Sequence, residues 1–177
     1  MNYLTIYKDS ISDGPGVRVS VYFAGCRPNK CKAGNCPGCH NPEAQKFNAG
    51  QEYTEETEAY ILKLCENPYI SGLTLVGGEP YDQDSEKITD LVKKFKFSEK
   101  TTNKTIWVYT GYEFEQIKDK ELTKYLDVAV VGPFILEQRD ISDENRWRGS
   151  RNQRVIDLPK SLKSGKIIML DGIPNNE

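Results

Sequence analysis

The sequence predicts an α/β fold built on a mainly parallel sheet, and three observations carry that expectation. Short apolar strand candidates alternate along the chain with helical patterns. The strand candidates run out into glycine, at Ala24–Gly25, Gly77–Gly78, Thr110–Gly111 and Gly132–Pro133. The chain has 177 residues, which suits one domain over residues 1–177 with a sizeable buried core.

Val17, Val19, Val21 and Phe23 alternate with Arg18, Ser20 and Tyr22, a period of two that reads as a strand. A connection rich in Gly, Pro, Asn and Cys follows from about Cys26 to Gln51, longer than a plain link between elements. Thr54 is placed as an N-cap, with Glu55 and Glu56 suited to the positive end of a helix dipole. That helix carries Ile61, Leu62 and Cys65 on one face and ends at Asn67–Pro68. Leu73–Val76 is a short apolar strand leading into Gly77-Gly78-Glu79-Pro80. Ile88, Leu91, Val92 and Phe95 then mark an amphipathic helix. Thr105–Tyr109 and Val128–Val131 read as strands, with a helix over Phe114–Tyr125 between them. Two short strands are expected in the tail, Val155–Leu158 and Lys166–Leu170.

In parallel sheets ligands bind at the carboxyl ends of the strands. Cys26 and Gly77-Gly78-Glu79 both follow strand ends, so the two segments are expected to meet at one rim.

Composition narrows the function. A net charge of −2 with 28% charged residues provides no global attraction to nucleic acid or anionic membrane. No apolar run approaches the roughly 20 residues of a membrane span, and the N-terminus lacks a basic segment followed by an apolar one. A cytoplasmic protein is expected.

Of five cysteines, four crowd into the fourteen residues from Cys26 to Cys39: Cys26, Cys31, Cys36 and Cys39. A disulfide framework would spread them. Crowding points to metal, either an iron–sulfur cluster on thiolates or zinc on four thiolates, or on three with His40. Cys65, on an apolar helix face, reads as a small buried hydrophobe.

Five segments in order resemble the radical-SAM activating proteins of anaerobic ribonucleotide reductases. They are Asp13-Gly14-Pro15-Gly16-Val17-Arg18, Gly25-Cys26 with Cys36-Pro37-Gly38-Cys39, Gly72–Pro80, Ile106–Tyr112, and Trp147-Arg148-Gly149-Ser150-Arg151-Asn152-Gln153-Arg154. Asp13 stands where the family has asparagine, and Tyr109 where it has a second tryptophan. The resemblance implies a partial parallel (β/α) barrel of radical-SAM type. It implies a 4Fe-4S cluster on Cys26, Cys36 and Cys39, whose open iron takes S-adenosylmethionine (SAM). Gly38, Cys39, His40, Gly77, Gly78 and Glu79 are the cofactor-binding residues it implies. Gly77 and Gly78 admit close backbone approach, their carbonyls and the Glu79 carboxylate are suited to the methionine ammonium, and His40 packs near the adenine.

No catalytic side chain is expected beyond the cluster and SAM. A flavodoxin-like donor would supply one electron, and the resulting 5′-deoxyadenosyl radical would take hydrogen from a glycine of the anaerobic ribonucleoside-triphosphate reductase. Two alternatives are an activase of another glycyl-radical enzyme and a zinc-stabilised interaction module without catalysis. Arg146, Arg148, Arg151 and Arg154 form a basic stretch that reads either as a contact for the reductase or an anionic group of the nucleoside cofactor, or as a solvated face.

The chain departs from the family pattern in two places. Nine residues, among them Cys31, separate Cys26 from Cys36 where the pattern has three. Cys26 is the preferred first ligand because it stands at a strand end, with Cys31 the other possible register; the longer loop costs only about 0.6 kcal/mol per doubling in closure entropy. Cys31 itself reads as a spare thiol, a redox partner or a fourth ligand. Val131 replaces an acidic residue that the family often carries before the glycine.

Overall fold

A computed structural model of the chain describes residues 1–27, 38–39, 41–142 and 146–172. In chain order the elements are β1 (Asn2–Ser10), β2 (Val17–Ala24), β3 (Gln51–Glu52), α1 (Glu55–Cys65), β4 (Ile70–Gly77), α2 (Ser85–Lys96), β5 (Thr105–Thr110), α3 (Phe114–Ile117), β6 (Val128–Val131), β7 (Arg154–Asp157) and α4 (Leu158–Ser164). The seven strands form one open sheet in the order β3-β1-β2-β4-β5-β6-β7.

The centre of that sheet is parallel, β2 on β4, β4 on β5 and β5 on β6. Its flanks are antiparallel, because β1 pairs with β2 and β3, and β7 with β6. The sheet is therefore mixed, not mainly parallel. The cause at the N-terminal flank is chain length: residues 11–16 are too few for the crossover a parallel neighbour of β1 needs.

Alternation along the strands sorts residues between two faces. Val19, Val21 and Phe23 of β2, Leu73 and Leu75 of β4, and Ile106 and Val108 of β5 share a core with Ile61 and Cys65 of α1 and with Ile88, Leu91, Val92 and Phe95 of α2. Both helix stripes expected from the sequence face this core, with Leu62 of α1 only partly buried against it. The opposite face holds a second cluster of Trp107, Val128, Val130 and Val155, packed by Tyr109, Trp147 and Leu170.

The caps explain where the helices start. The Thr54 hydroxyl accepts the Thr57 N–H in a capping box, and the Asp84 carboxylate accepts from Glu86 and Lys87. The helix expected over Phe114–Tyr125 is broken. α3 stops at Ile117, and a 3₁₀ turn follows at Leu122–Tyr125. Buried Thr123 donates its hydroxyl to the Ile117 carbonyl at 2.7 Å, which competes with continued helix.

The tail also differs from expectation. Leu158 opens α4, which Asp157 caps by accepting from Lys160 N–H at 3.0 Å and which left-handed Gly165 ends. Lys166–Leu170 forms no strand, only an isolated bridge from Met169 to Ile156.

Candidate functional site

The exits of β2 and β4 are bound to each other. Gly78 N–H donates to the Phe23 carbonyl at 2.8 Å, and Glu79 N–H to the Gly25 carbonyl at 2.8 Å. The Gln83 side-chain amide donates to the same Gly25 carbonyl at 3.0 Å. From the other side Gly25 N–H reaches the Ala44 carbonyl at 2.7 Å, and Cys26 N–H the Gln45 carbonyl at 3.2 Å. The cysteine segment and the glycine-rich segment thus meet at one rim, as their places after strand ends predict.

The reason for two successive glycines is tighter than the sequence suggests. Gly77 has φ +107°, and a Cβ there would lie 2.4 Å from backbone N and O of Phe23. A Cβ on Gly78 would lie 2.3 Å from the Gly25 oxygen. The close approach these glycines permit is, in the first place, of β4 to the β2 exit.

Glu79 is 2% exposed and joins the rim to β5. Its Oε1 accepts from the Thr110 hydroxyl at 2.7 Å and from Tyr81 N–H at 3.1 Å. Its Oε2 accepts from Gly111 N–H at 2.9 Å. Asp82, which sequence reasoning passed over, makes a second bridge. Its Oδ2 accepts from Arg27 N–H at 2.7 Å and its Oδ1 from the Tyr112 hydroxyl at 2.8 Å. Burial first, then the hydrogen bond to Asp82, pushes the Tyr112 phenol upward, so it stays a donor at neutral pH. A carboxylate just beyond a strand-end glycine pair was the signal available for Asp82.

Cys26 and Cys39 are both half-buried. Gly38, left-handed at φ +70°, sits against the Leu136 side chain in the connection after β6. The described parts of the cysteine segment therefore touch the exit of β2 at one end and the connection after β6 at the other. Cys36, Cys31 and His40 lie outside the described residues. Cys26 and Cys39 are of the ligand type an iron–sulfur cluster takes, and Cys26 stands at a rim with two buried carboxylates, Glu79 and Asp82. Cys65 is fully buried, and burial pushes its thiol up to about 12, so it is the inert core residue expected.

The other motifs are scaffolding. Arg18 is fully buried on the second face, where it donates to Thr74 Oγ1 at 2.7 Å, Leu73 O at 2.9 Å and Thr105 O at 2.8 Å. Desolvation lowers its pKa to about 10. Asp13 accepts the hydroxyls of Ser10 at 2.7 Å and Tyr22 at 3.1 Å. The late signature braces the β6 exit: Gln153 accepts from Gly149 N–H at 2.8 Å and donates to Gly132 O at 3.0 Å, and Asn152 donates to Pro133 O at 2.8 Å. Trp147 meets Trp107 edge-on with ring centroids 6.2 Å apart. Most of the basic stretch is buried or paired. Arg148 is buried, Arg151 pairs with Asp140 and Arg154 with Glu113, which leaves exposed Arg146. Val131 is fully buried in the core shared with the helices, where a lone carboxylate would be costly.

Residues 12–156 match a family model described as a 4Fe-4S single cluster domain. Among curated proteins, the chain is similar to the anaerobic ribonucleoside-triphosphate reductase-activating protein of Enterobacteria phage T4, at 39% identity over 88% of this chain and 93% of that one. It is 35% identical to the protein of that name in Vibrio cholerae, over 88% of this chain and 97% of that one. For the Escherichia coli K12 protein, identity is 32% over 89% of this chain and 99% of that one.

Proposed function

The chain belongs to the family of anaerobic ribonucleoside-triphosphate reductase-activating proteins, and on that premise we propose that it is a radical-SAM activase that installs a glycyl radical on its partner reductase. The observation that carries the reading is the bonded rim: the Cys26 segment and the Gly77-Gly78-Glu79 segment are joined through the Glu79 N–H to Gly25 O bond of 2.8 Å. The first proposed ligand, Cys26, and the proposed shelf for SAM thereby fall on neighbouring strand exits.

In this reading Cys26, Cys36 and Cys39 hold a 4Fe-4S cluster, and residues 1–177 form one radical-SAM domain whose sheet is the wall of a partial barrel. The cluster and SAM together supply one-electron reductive cleavage of a sulfonium, and with it the oxidising power to take hydrogen from a glycine Cα. The carbonyls of Gly77 and Gly78 take the methionine ammonium. Glu79, buried beneath them, adds negative charge and holds the shelf to β5. Gly38, in its left-handed conformation, turns the chain just before the ligand Cys39, and His40 packs near the adenine. The second face, lined by Trp107, Tyr109 and Trp147, excludes water. A flavodoxin-like protein is the electron donor. Among the described residues no helix is long and apolar enough to cross a membrane, and the reading places the protein in the cytoplasm.

The test is anaerobic incubation of the reconstituted protein with SAM, dithionite and the cognate reductase. The expected outcome is 5′-deoxyadenosine together with a glycyl-radical EPR signal on the reductase. 5′-Deoxyadenosine without that signal keeps the chemistry and rejects the partner. Colourless protein that retains stoichiometric zinc rejects both. Cys26→Ala is expected to abolish the cluster and Cys31→Ala to spare it; the reverse pattern moves the first ligand to Cys31.

A further inference from the structure

Asp82 is buried, yet it belongs to no strand of the sheet and to neither core cluster. It opens no helix either; it ends the 3₁₀ turn Pro80–Asp82. What it does is span the exits of two strands that are not neighbours in the sheet. One oxygen accepts the backbone N–H of Arg27 beyond β2, and the other accepts the Tyr112 hydroxyl beyond β5. Both bonds are charge-assisted and short, at 2.7 and 2.8 Å.

We infer that Asp82 and Tyr112 form a clasp that sets the position of the Cys26 backbone relative to the Gly77–Gly78 shelf. Cys26 is held on its amino side through Gly25, which is bonded to Ala44 and Glu79, and through its own N–H to Gln45. On its carboxyl side the next peptide N–H, that of Arg27, is the one Asp82 takes. The cysteine is thus bracketed, and the second bracket is referenced to β4, whose exit carries the shelf, and to β5, to which Glu79 ties it. A carboxylate suits this task because its two oxygens serve two donors at once, where a backbone carbonyl would come with a strand's own direction. The bracket matters more here because nine residues follow before Cys36, and a longer loop has more conformations to lose. Asp82 and Tyr112 are accordingly positioning residues that act through Cys26.

This inference rests on the reading of Cys26 as a cluster ligand, and the experiment separates the two. Full-length Cys26→Ala, Asp82→Ala, Asp82→Asn and Tyr112→Phe proteins are reconstituted anaerobically with iron and sulfide. Iron per chain, the rate of iron loss to a chelator, and the EPR spectrum of the dithionite-reduced protein with and without SAM are then measured. Asp82→Ala is expected to lose iron about tenfold faster or more, the usual scale for an outer partner of a metal ligand, and to show an altered SAM-dependent change in its EPR spectrum. Tyr112→Phe is expected to move the same way by less. Asp82→Asn is expected to stay near the unaltered protein, because its amide oxygen accepts from Arg27 and its amide nitrogen donates to the Tyr112 oxygen. Should Asp82→Ala fail to fold by circular dichroism, Tyr112→Phe and Asp82→Asn decide. Unaltered iron retention and spectra in Asp82→Ala and Tyr112→Phe overturn the clasp, as does Asp82→Asn behaving no better than Asp82→Ala. Retention of a normal cluster by Cys26→Ala overturns the ligand reading instead.

Discussion

A methyl group on Gly78 would stand 2.3 Å from the Gly25 oxygen and 2.5 Å from the Ala44 oxygen, both of them backbone atoms that cannot swing aside. Gly78→Ala must therefore part β4 from the β2 exit, and a destabilisation of roughly 1–3 kcal/mol is expected, as for other overpacked sites. A Cβ on Gly111 meets only Glu79 Oε2 at 3.7 Å, so Gly111→Ala is the neutral control. Urea midpoints of the two variants check the contrast, and equal midpoints would remove the packing argument. The glycine pair was legible in the sequence as a close approach, but not what approaches it. Arg18 shows the same limit. Its period-two position reads as one face of a strand, yet its satisfaction by Thr74, Leu73 and Thr105 depends on residues more than fifty positions away.

At the scale of elements, the long connection after β6 is organised by its own polar side chains. Asp140 is the part of it that responds to pH. The Ser142 backbone N–H first, and then the Arg151 guanidinium, hold its carboxyl at about 2, below its ordinary 3.8. The folded form therefore binds the proton less readily than the unfolded one. The support it lends is complete above about pH 4 and is lost as pH falls through 3.8 toward 2. Amide exchange at Ser142 and Arg151 is expected to quicken in that window before the β4 and β5 amides respond, and Asp140→Asn to show the quickened exchange already at pH 6. Simultaneous loss of protection everywhere would assign the effect to global unfolding. The broken helix after Phe114 belongs to this scale as well. Periodicity alone favoured one helix, and the deciding bond, from Thr123 to Ile117, is one that helix patterns do not encode.

Taken whole, the molecule separates what folds it from what it holds. The larger core lies between the sheet and α1 and α2, and it includes no described residue between Phe23 and Tyr53. Removal of iron by a chelator is therefore expected to leave the far-UV circular dichroism of the sheet and helices in place, to lower the thermal midpoint, and to be reversed by anaerobic reconstitution. Collapse of the far-UV signal on chelation would mean that metal and fold are one cooperative unit.

The sequence by itself determined the strand and helix stripes, because side-chain periods of 2 and 3.6 are written in which residues are apolar. It also determined the family and the thiolate-rich character of the site, since cysteine crowding and five ordered motifs are properties of the chain alone. Only the tertiary structure decided that the sheet has antiparallel flanks, that most of the late arginines are buried or paired, and that Asp82 and Tyr112 tie the first cysteine's strand exit to β5. Those facts depend on which distant donors and acceptors meet. No local pattern specifies such a meeting until the strands are assembled side by side.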